Sequence, residues 1–92
     1  MMNVWKNTMN PNIFNPPPNA KYIKSIYVDS KVNIGGLIGQ KGVVFNAITK
    51  ASIGMMYIWY NNESRMVEMY GDDIQGIMYA TRKINERIER II

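Results

Sequence analysis

Residues 34–42 read IGGLIGQKG, a stretch in which two apolar residues stand directly before a Gly-x-x-Gly tetrapeptide. Gly39 and Gly42 carry no Cβ, so they can adopt backbone angles closed to other residues and let a ligand approach the main chain closely. Between them, Lys41 adds a mobile positive charge. The arrangement suits contact with a phosphate backbone, although a tight corner between two helices produces the same spacing.

The composition limits the function classes that the chain can belong to. Its 92 residues, 47% of them hydrophobic and 20% charged, allow one folded domain with a modest core. The chain has no cysteine and no histidine, which removes thiolate nucleophiles, imidazole bases and the usual zinc ligands. We therefore expect a protein that is not an enzyme and that holds no metal or cofactor. No stretch approaches the roughly 20 apolar residues of a membrane span, so we expect an intracellular, cytoplasmic protein without membrane contact.

The basic residues are concentrated around the glycine stretch. The formal net charge is +4, and residues 21–50 contain five lysines and a single aspartate. Residues 51–92 contain five basic and six acidic residues. A basic excess beside the glycines is what a site for a polyanion requires, whereas a solvated basic face is the alternative interpretation.

Two regions follow from the distribution of prolines. Residues 1–20 are rich in asparagine and proline, and the run Pro16–Pro18 disfavours both helix and central strand. We interpret 1–20 as an N-terminal tail and 21–92 as the folded domain. Trp5 and Phe14 are large apolar residues that could pin the tail onto the domain.

Hydrophobic periodicity predicts three strands and three helices. Aromatic and β-branched residues predict a strand over 22–28, and the two glycines permit only a short helix over 32–38. Residues 43–52 contain no helix breaker and form the second helix. Residues 55–60 alternate between two faces, with Met56 and Ile58 predicted toward the core and Tyr57 and Trp59 on the opposite face.

The C-terminal half continues with a hairpin and a long helix. The polar turn 61–64 leads into a returning strand over 65–71. From Ile74 onward, isoleucines recur at helical spacing and predict an apolar face toward the core. Asp72 or Asp73 can cap this helix, which explains the acidic pair better than a metal site does, because no third ligand is evident.

In this order of elements, residues 22–92 resemble the type I KH domain, a module that binds single-stranded nucleic acid. The resemblance is carried by Val28 and residues 34–42, which match the family's V…VGxIIGxxG stretch, and by Phe45 and Ile48 at its apolar positions. Two strands and a long helix follow the loop, unlike the bacterial-type topology. The resemblance implies an α+β fold with a three-stranded antiparallel sheet packed on three helices. The chain departs from the family in having one basic residue in its loop.

The resemblance also implies a groove that holds four unpaired nucleotides. One wall is formed by the first helix, the loop and the second helix, and the other by the second strand with its following turn. Glycines and a lysine would face phosphates, and apolar residues would lie under the bases. The residues implied in contact are Gly35, Gly36, Leu37, Gly39, Gln40, Lys41, Gly42, Val44, Phe45, Ile58 and Arg65. For Arg65 an ordinary charge at a strand end is the alternative.

Two functions remain open from the sequence. The first is a module that binds single-stranded RNA or single-stranded DNA. The second is a protein-interaction or dimerisation domain of the same fold with weak or no nucleic-acid binding, pairing as a homodimer through its sheet face or C-terminal helix. Tyr57 and Trp59 favour the second, since an apolar patch on the outer face of a sheet usually has a partner.

Overall fold

The computed structural model describes residues 20–91. The predicted N-terminal tail, including Trp5 and Phe14, therefore lies outside the described residues except for Ala20. In chain order, the elements are strand β1 (Tyr22–Tyr27), a helical turn (Ile34–Ile38), a 3-10 turn (Gln40–Gly42), helix α1 (Val43–Ala51), strands β2 (Met55–Asn61) and β3 (Met66–Gly71), and helix α2 (Ile74–Ile91).

The three strands form one antiparallel sheet in the order β1-β3-β2. The α+β class and the three-stranded antiparallel sheet are confirmed. Because β3 lies in the middle, β1 and β2 are the two edges of the sheet among the described residues. Every second residue of an edge strand directs its N–H and C=O away from the sheet.

Of the three predicted helices, only two have more than five residues, with nine and eighteen. The predicted first helix is reduced to the five-residue turn Ile34–Ile38. Two of those five residues are glycines, which lose more conformational entropy than other residues when they enter a helix. The turn begins at Asn33, whose Oδ1 accepts a hydrogen bond of 3.2 Å from the Gly36 N–H, and it ends at Gly39.

A bulge in β2 changes the predicted faces of that strand. Met55 is paired with Gly71 and Tyr57 with Tyr70, so Met56 is the extra residue on β2. An extra residue reverses the alternation of side chains on one side of the bulge. The prediction that Met56 faces the core is therefore wrong, and Met55 packs against the core instead.

The core lies between the inner face of the sheet and the helices. Its buried members are Val28, Val32, Leu37, Phe45, Ile48, Ile58, Val67, Met69, Ile77, Ala80 and Ile84. The last three lie on one face of α2 at helical spacing. Ile74, which the periodicity placed on the same face, is 45% exposed, because it lines a groove beside β1 rather than the core.

The start of α2 confirms one predicted cap. The Asp73 carboxylate accepts a hydrogen bond of 2.9 Å from the Gln75 N–H, as an N-cap residue does. Within residues 20–91, no helix is long and apolar enough to cross a membrane.

Candidate nucleic-acid interface

The loop Gly39–Gly42 is held in a conformation that few residues other than glycine adopt. Gly39 has φ 86° and ψ 157°, Lys41 has φ 57° and Gly42 has φ 79°. The Gly39 N–H donates to the Gly35 carbonyl at 2.9 Å, and the Gly42 N–H donates to the Gly39 carbonyl at the same distance. The inner pair of the loop is exposed to solvent, so the Lys41 ammonium is available to an anion.

The two loop glycines are required for different reasons. A Cβ at Gly39 would lie 2.7 Å from both the backbone nitrogen and Cγ2 of Val44. At Gly42 the nearest atom to such a Cβ would be Asn46 Nδ2 at 3.8 Å, so there only the left-handed φ favours glycine. Gly39 therefore lets the loop lie directly against the start of α1.

Helix α1 begins at this loop without a side-chain cap. The first N–H groups of a helix have no partner within the helix, and they carry the positive end of its dipole. Such groups suit a phosphate oxygen. The Val43 N–H already donates to the Gln40 carbonyl, so what the loop offers an anion is the positive end of the α1 dipole together with the Lys41 charge.

A groove of about 250 Å³ opens beside the loop, between α1 and the edge strand β2. Its lining residues are Ile38, Lys41, Gly42, Phe45, Asn46, Tyr57, Ile58, Trp59 and Tyr60. Phe45 and Ile58 are 5% and 4% exposed and contribute an apolar floor. The opposite wall is β2, whose outward backbone groups have no strand partner among the described residues. The groove therefore offers apolar surface, main-chain polar groups and one positive charge.

Glu68 on β3 anchors one side chain of this wall. Its Oε1 accepts hydrogen bonds from Trp59 Nε1 at 2.7 Å and from the Tyr70 hydroxyl at 2.9 Å. Burial, and then the hydrogen bond and charge of Glu68, raise the pKa of Tyr70 to about 12. Burial also raises the pKa of Tyr57. Both phenols are therefore neutral near pH 7, and neither adds negative charge beside the groove.

Tyr60 contributes a hydroxyl group that makes no hydrogen bond with the described residues. Its hydroxyl oxygen is buried and has no hydrogen-bond partner in the described part of the chain. Leaving a buried hydroxyl unpaired costs free energy, so such atoms are few in folded proteins. Tyr60 packs against the core cluster and also lines the groove.

Six of the residues implied by the resemblance lie at the loop or in the groove. Lys41, Gly42, Phe45 and Ile58 line the groove, and Gln40 is exposed in the loop beside them. Gly39, as described above, sets the position of the loop.

The helical turn before the loop has a structural function instead. Gly35 is exposed, but the Gly36 carbonyl accepts hydrogen bonds from Arg87 Nε at 3.0 Å and from its Nη2 at 2.9 Å. The Leu37 side chain is 0% exposed, so it supports the groove from within the core. These contacts tie the turn to α2 and leave Leu37 no surface for a ligand.

The structure does not bring Val44 or Arg65 to the groove. Val44 lines a separate cavity between α1 and α2, because adjacent residues of a helix point about 100° apart and Phe45 faces the groove. Arg65 has φ 61° in the turn between β2 and β3, and its Nε donates to the Val28 carbonyl at 3.2 Å. Arg65 thereby fastens the end of β1 to this turn.

The groove also contains residues that sequence reasoning did not assign to it. These are Ile38, Asn46, Tyr57, Trp59 and Tyr60. Helical spacing could have predicted that Asn46 lies in the groove, because it follows Gly42 by four residues and so shares a helix face with it. Nothing in the local sequence shows that β2 is an edge strand, on which residues of both faces border the groove.

Comparison with protein-family models, with curated proteins and with solved structures found no match in any of the three. Within residues 20–91, no group of three or more His, Cys, Asp or Glu could hold a metal ion. The groove presents apolar side chains, main-chain polar groups of an edge strand and the positive charge of Lys41.

Proposed function

We propose that this protein binds single-stranded nucleic acid, RNA in the first instance, in the groove between α1 and β2. The observation that carries the proposal is that the exposed loop Gly39–Gly42, with its positive φ angles and Lys41, stands at one side of an apolar groove whose other side is a sheet edge. A single strand has the same three components, namely charged phosphates, flat apolar base faces and polar base edges.

The assignment of ligand parts follows from the surfaces. Phosphates lie at the loop, where the Lys41 ammonium and the positive end of the α1 dipole favour an anion. Bases lie over Phe45 and Ile58, and their edges meet the Asn46 amide and the outward backbone groups of β2. In a duplex the bases are stacked and paired, so they cannot enter this groove. Binding therefore selects unpaired nucleotides.

The resemblance of residues 22–92 to type I KH domains supports the same proposal. It implies a nucleic-acid groove between the glycine loop and the second strand, and this is where the structure has a groove. It also implies a binding module and not an enzyme.

A protein-interaction domain without nucleic-acid binding is the second candidate. The observation in its favour is that Lys41 is the one charged side chain among the residues that line the groove. Each phosphate contact contributes a slope of roughly −0.7 to the dependence of log affinity on log salt for single strands. A salt slope near zero would support this candidate.

The decisive experiment places negative charge on the loop. The double variant Gln40→Asp, Lys41→Asp changes two exposed side chains and leaves the core intact, and aspartate tolerates the left-handed φ of position 41. Losing one charge-assisted contact costs about 1.5–3 kcal/mol, so affinity for a pool of short single-stranded RNAs should fall about 10- to 100-fold. Fluorescence anisotropy of labelled RNA measures it.

A matched control keeps the overall charge change the same. The variant Lys50→Asp, Gln75→Asp replaces the same two residue types at exposed positions outside the groove. It should bind single strands within a few-fold of the unchanged protein. Equal losses in the two variants would show that binding depends on net charge only, and normal binding by the loop variant would place the site elsewhere.

A further inference from the structure

Among residues 20–91, strand β1 has a strand neighbour on one side only, and it forms the sheet edge opposite the groove. Its residues are exposed except for Ile26, which is partly buried. Ile23 and Tyr27 are 62% and 59% exposed. Pairing of β1 with β3 is regular over six residues, whereas the other edge strand, β2, carries the bulge. A regular, exposed edge is a template for a further strand.

The direction of the backbone groups on this edge follows from one hydrogen bond. The Val28 N–H donates to the Arg65 carbonyl at 2.8 Å, so position 28 points toward the neighbouring chain segment. In an antiparallel pair, residues that exchange hydrogen bonds alternate with residues that do not. Ile23, Ser25 and Tyr27 therefore direct their N–H and C=O groups outward, and Ser25 is the middle one.

Beside this edge lies a groove of about 520 Å³ between β1 and α2. Its apolar surface includes Ile74 and Met78, which are 45% and 60% exposed. Its charged lining residues are Lys24, Arg82, Glu86 and Glu89, two of each sign. A surface with balanced charges complements a second copy of itself better than it complements a polyanion or an acidic peptide.

We propose that two copies of this chain pair through β1, antiparallel and across a twofold axis at Ser25. In that register Ser25 exchanges hydrogen bonds with its own copy, and Ile23 lies opposite the partner's Tyr27. The two exposed side chains then form cross-strand pairs of a β-branched and an aromatic residue, a favourable combination. The strand is thus complementary to itself in both its backbone and its side chains.

Lys24 is the feature of β1 that opposes pairing, since a lysine on an edge strand discourages association. It lines the same groove as Glu86 and Glu89, whose charges are opposite to its own. The dimer also leaves the α1–β2 groove free, because that groove lies at the other edge of the sheet. The inference is therefore independent of the proposed nucleic-acid binding.

Sedimentation equilibrium of the full chain over a range of concentrations tests the dimer. We expect a reversible dimer that Ser25→Pro weakens at least tenfold, because proline removes an outward N–H and leaves the hydrogen bonds to β3 in place. Ser25→Thr is the control and should dimerise normally. Far-UV circular dichroism establishes that the proline variant is folded.

Cross-linking keeps the test independent of the proline variant. The chain contains no cysteine, so Ser25→Cys introduces one thiol per chain. Opposed residues that exchange hydrogen bonds have Cα atoms about 5.5 Å apart, within the range of disulfides. Mild oxidation should link Ser25→Cys chains and not Ser64→Cys chains. A chain that stays monomeric at about 1 mM, or a dimer in which Ser25→Cys fails to cross-link, overturns the proposal.

Discussion

Gly76, in the first turn of α2, is the position where the addition of one methyl group should be most damaging. A Cβ there would lie 1.7 Å from the Ile53 carbonyl oxygen and 2.8 Å from its carbonyl carbon. Contacts of a real Cβ essentially never fall under 3.0 Å. Because the obstacle is backbone, Gly76→Ala requires α2 to move away from the segment between α1 and β2.

Two opposing effects determine how much Gly76→Ala lowers the free energy of unfolding. Replacing a helical glycine with alanine ordinarily stabilises a helix by about 1 kcal/mol. Overpacking costs about 1–3 kcal/mol or more, and here the displaced helix carries the buried side chains of Ile77, Ala80 and Ile84. We expect a net loss of about 2 kcal/mol in the free energy of unfolding. For a domain of this size the melting temperature would fall by roughly 8–16 °C.

Urea unfolding followed by tryptophan fluorescence measures the effect, with Gly35→Ala as the matched control. A Cβ at Gly35 would be 3.4 Å from Asn33 Oδ1, an ordinary contact. Gly35→Ala should therefore leave stability unchanged or raise it by up to about 1 kcal/mol. If Gly76→Ala unfolds at the same urea concentration as the unchanged protein, the close approach of α2 to Ile53 is refuted.

Three further predictions concern the loop, its tether and the sheet. Gly39→Ala should lower the free energy of unfolding by about 3 kcal/mol and Gly42→Ala by about 1 kcal/mol. Both positions have a positive φ, which strains alanine, but only at Gly39 does the added Cβ also clash. A lower urea midpoint for Gly42→Ala than for Gly39→Ala would contradict this. Arg87→Ala should cost about 2 kcal/mol in thermal or urea unfolding by removing both hydrogen bonds to the Gly36 carbonyl, and Arg87→Lys should restore only part, since lysine lacks the fixed pair of donors. Burial and Glu68 raise the pKa of the Tyr70 hydroxyl from its ordinary 10.0 to about 12 in the folded protein, so the unfolded chain loses this proton first and the free energy of unfolding falls as pH rises from 10 to 12. Tyr70→Phe should show a smaller fall, and equal urea midpoint shifts in both proteins over that range would count against it.

The sequence is informative about the elements of this fold, because their signals are local. The density of β-branched and aromatic residues located β1, and the isoleucine spacing located α2. The short helix predicted over 32–38 begins two residues later, at Ile34. Two adjacent glycines weaken a helix by an amount that the surrounding contacts, such as those of Arg87, must balance. The local sequence does not show whether such distant contacts are strong enough to stabilise the helix.

The groove was predictable only in part. The loop was visible in the sequence because Gly39 and Gly42 have few alternatives at positive φ. Apolar character favours Val44 over Asn46 as a groove residue. The rotation of α1 instead directs Val44 toward α2 and Asn46 into the groove. The bulge at Met56 depends on the partner strand β3, so strict alternation along β2 could not reveal it.

The hydrogen bonds between Arg87 and the Gly36 carbonyl also affect when the protein can fold during its synthesis. The two residues are 51 positions apart, and chains grow from the N-terminus at about 5–20 residues per second, so some 3–10 s separate their synthesis. In that interval the glycine loop has left the site of synthesis, but the helix that supplies Ile77, Ala80 and Ile84 to the core has not. β1 and the loop are therefore made seconds before the helix that holds them in place, and we expect the α1–β2 groove to form only after α2 has been made.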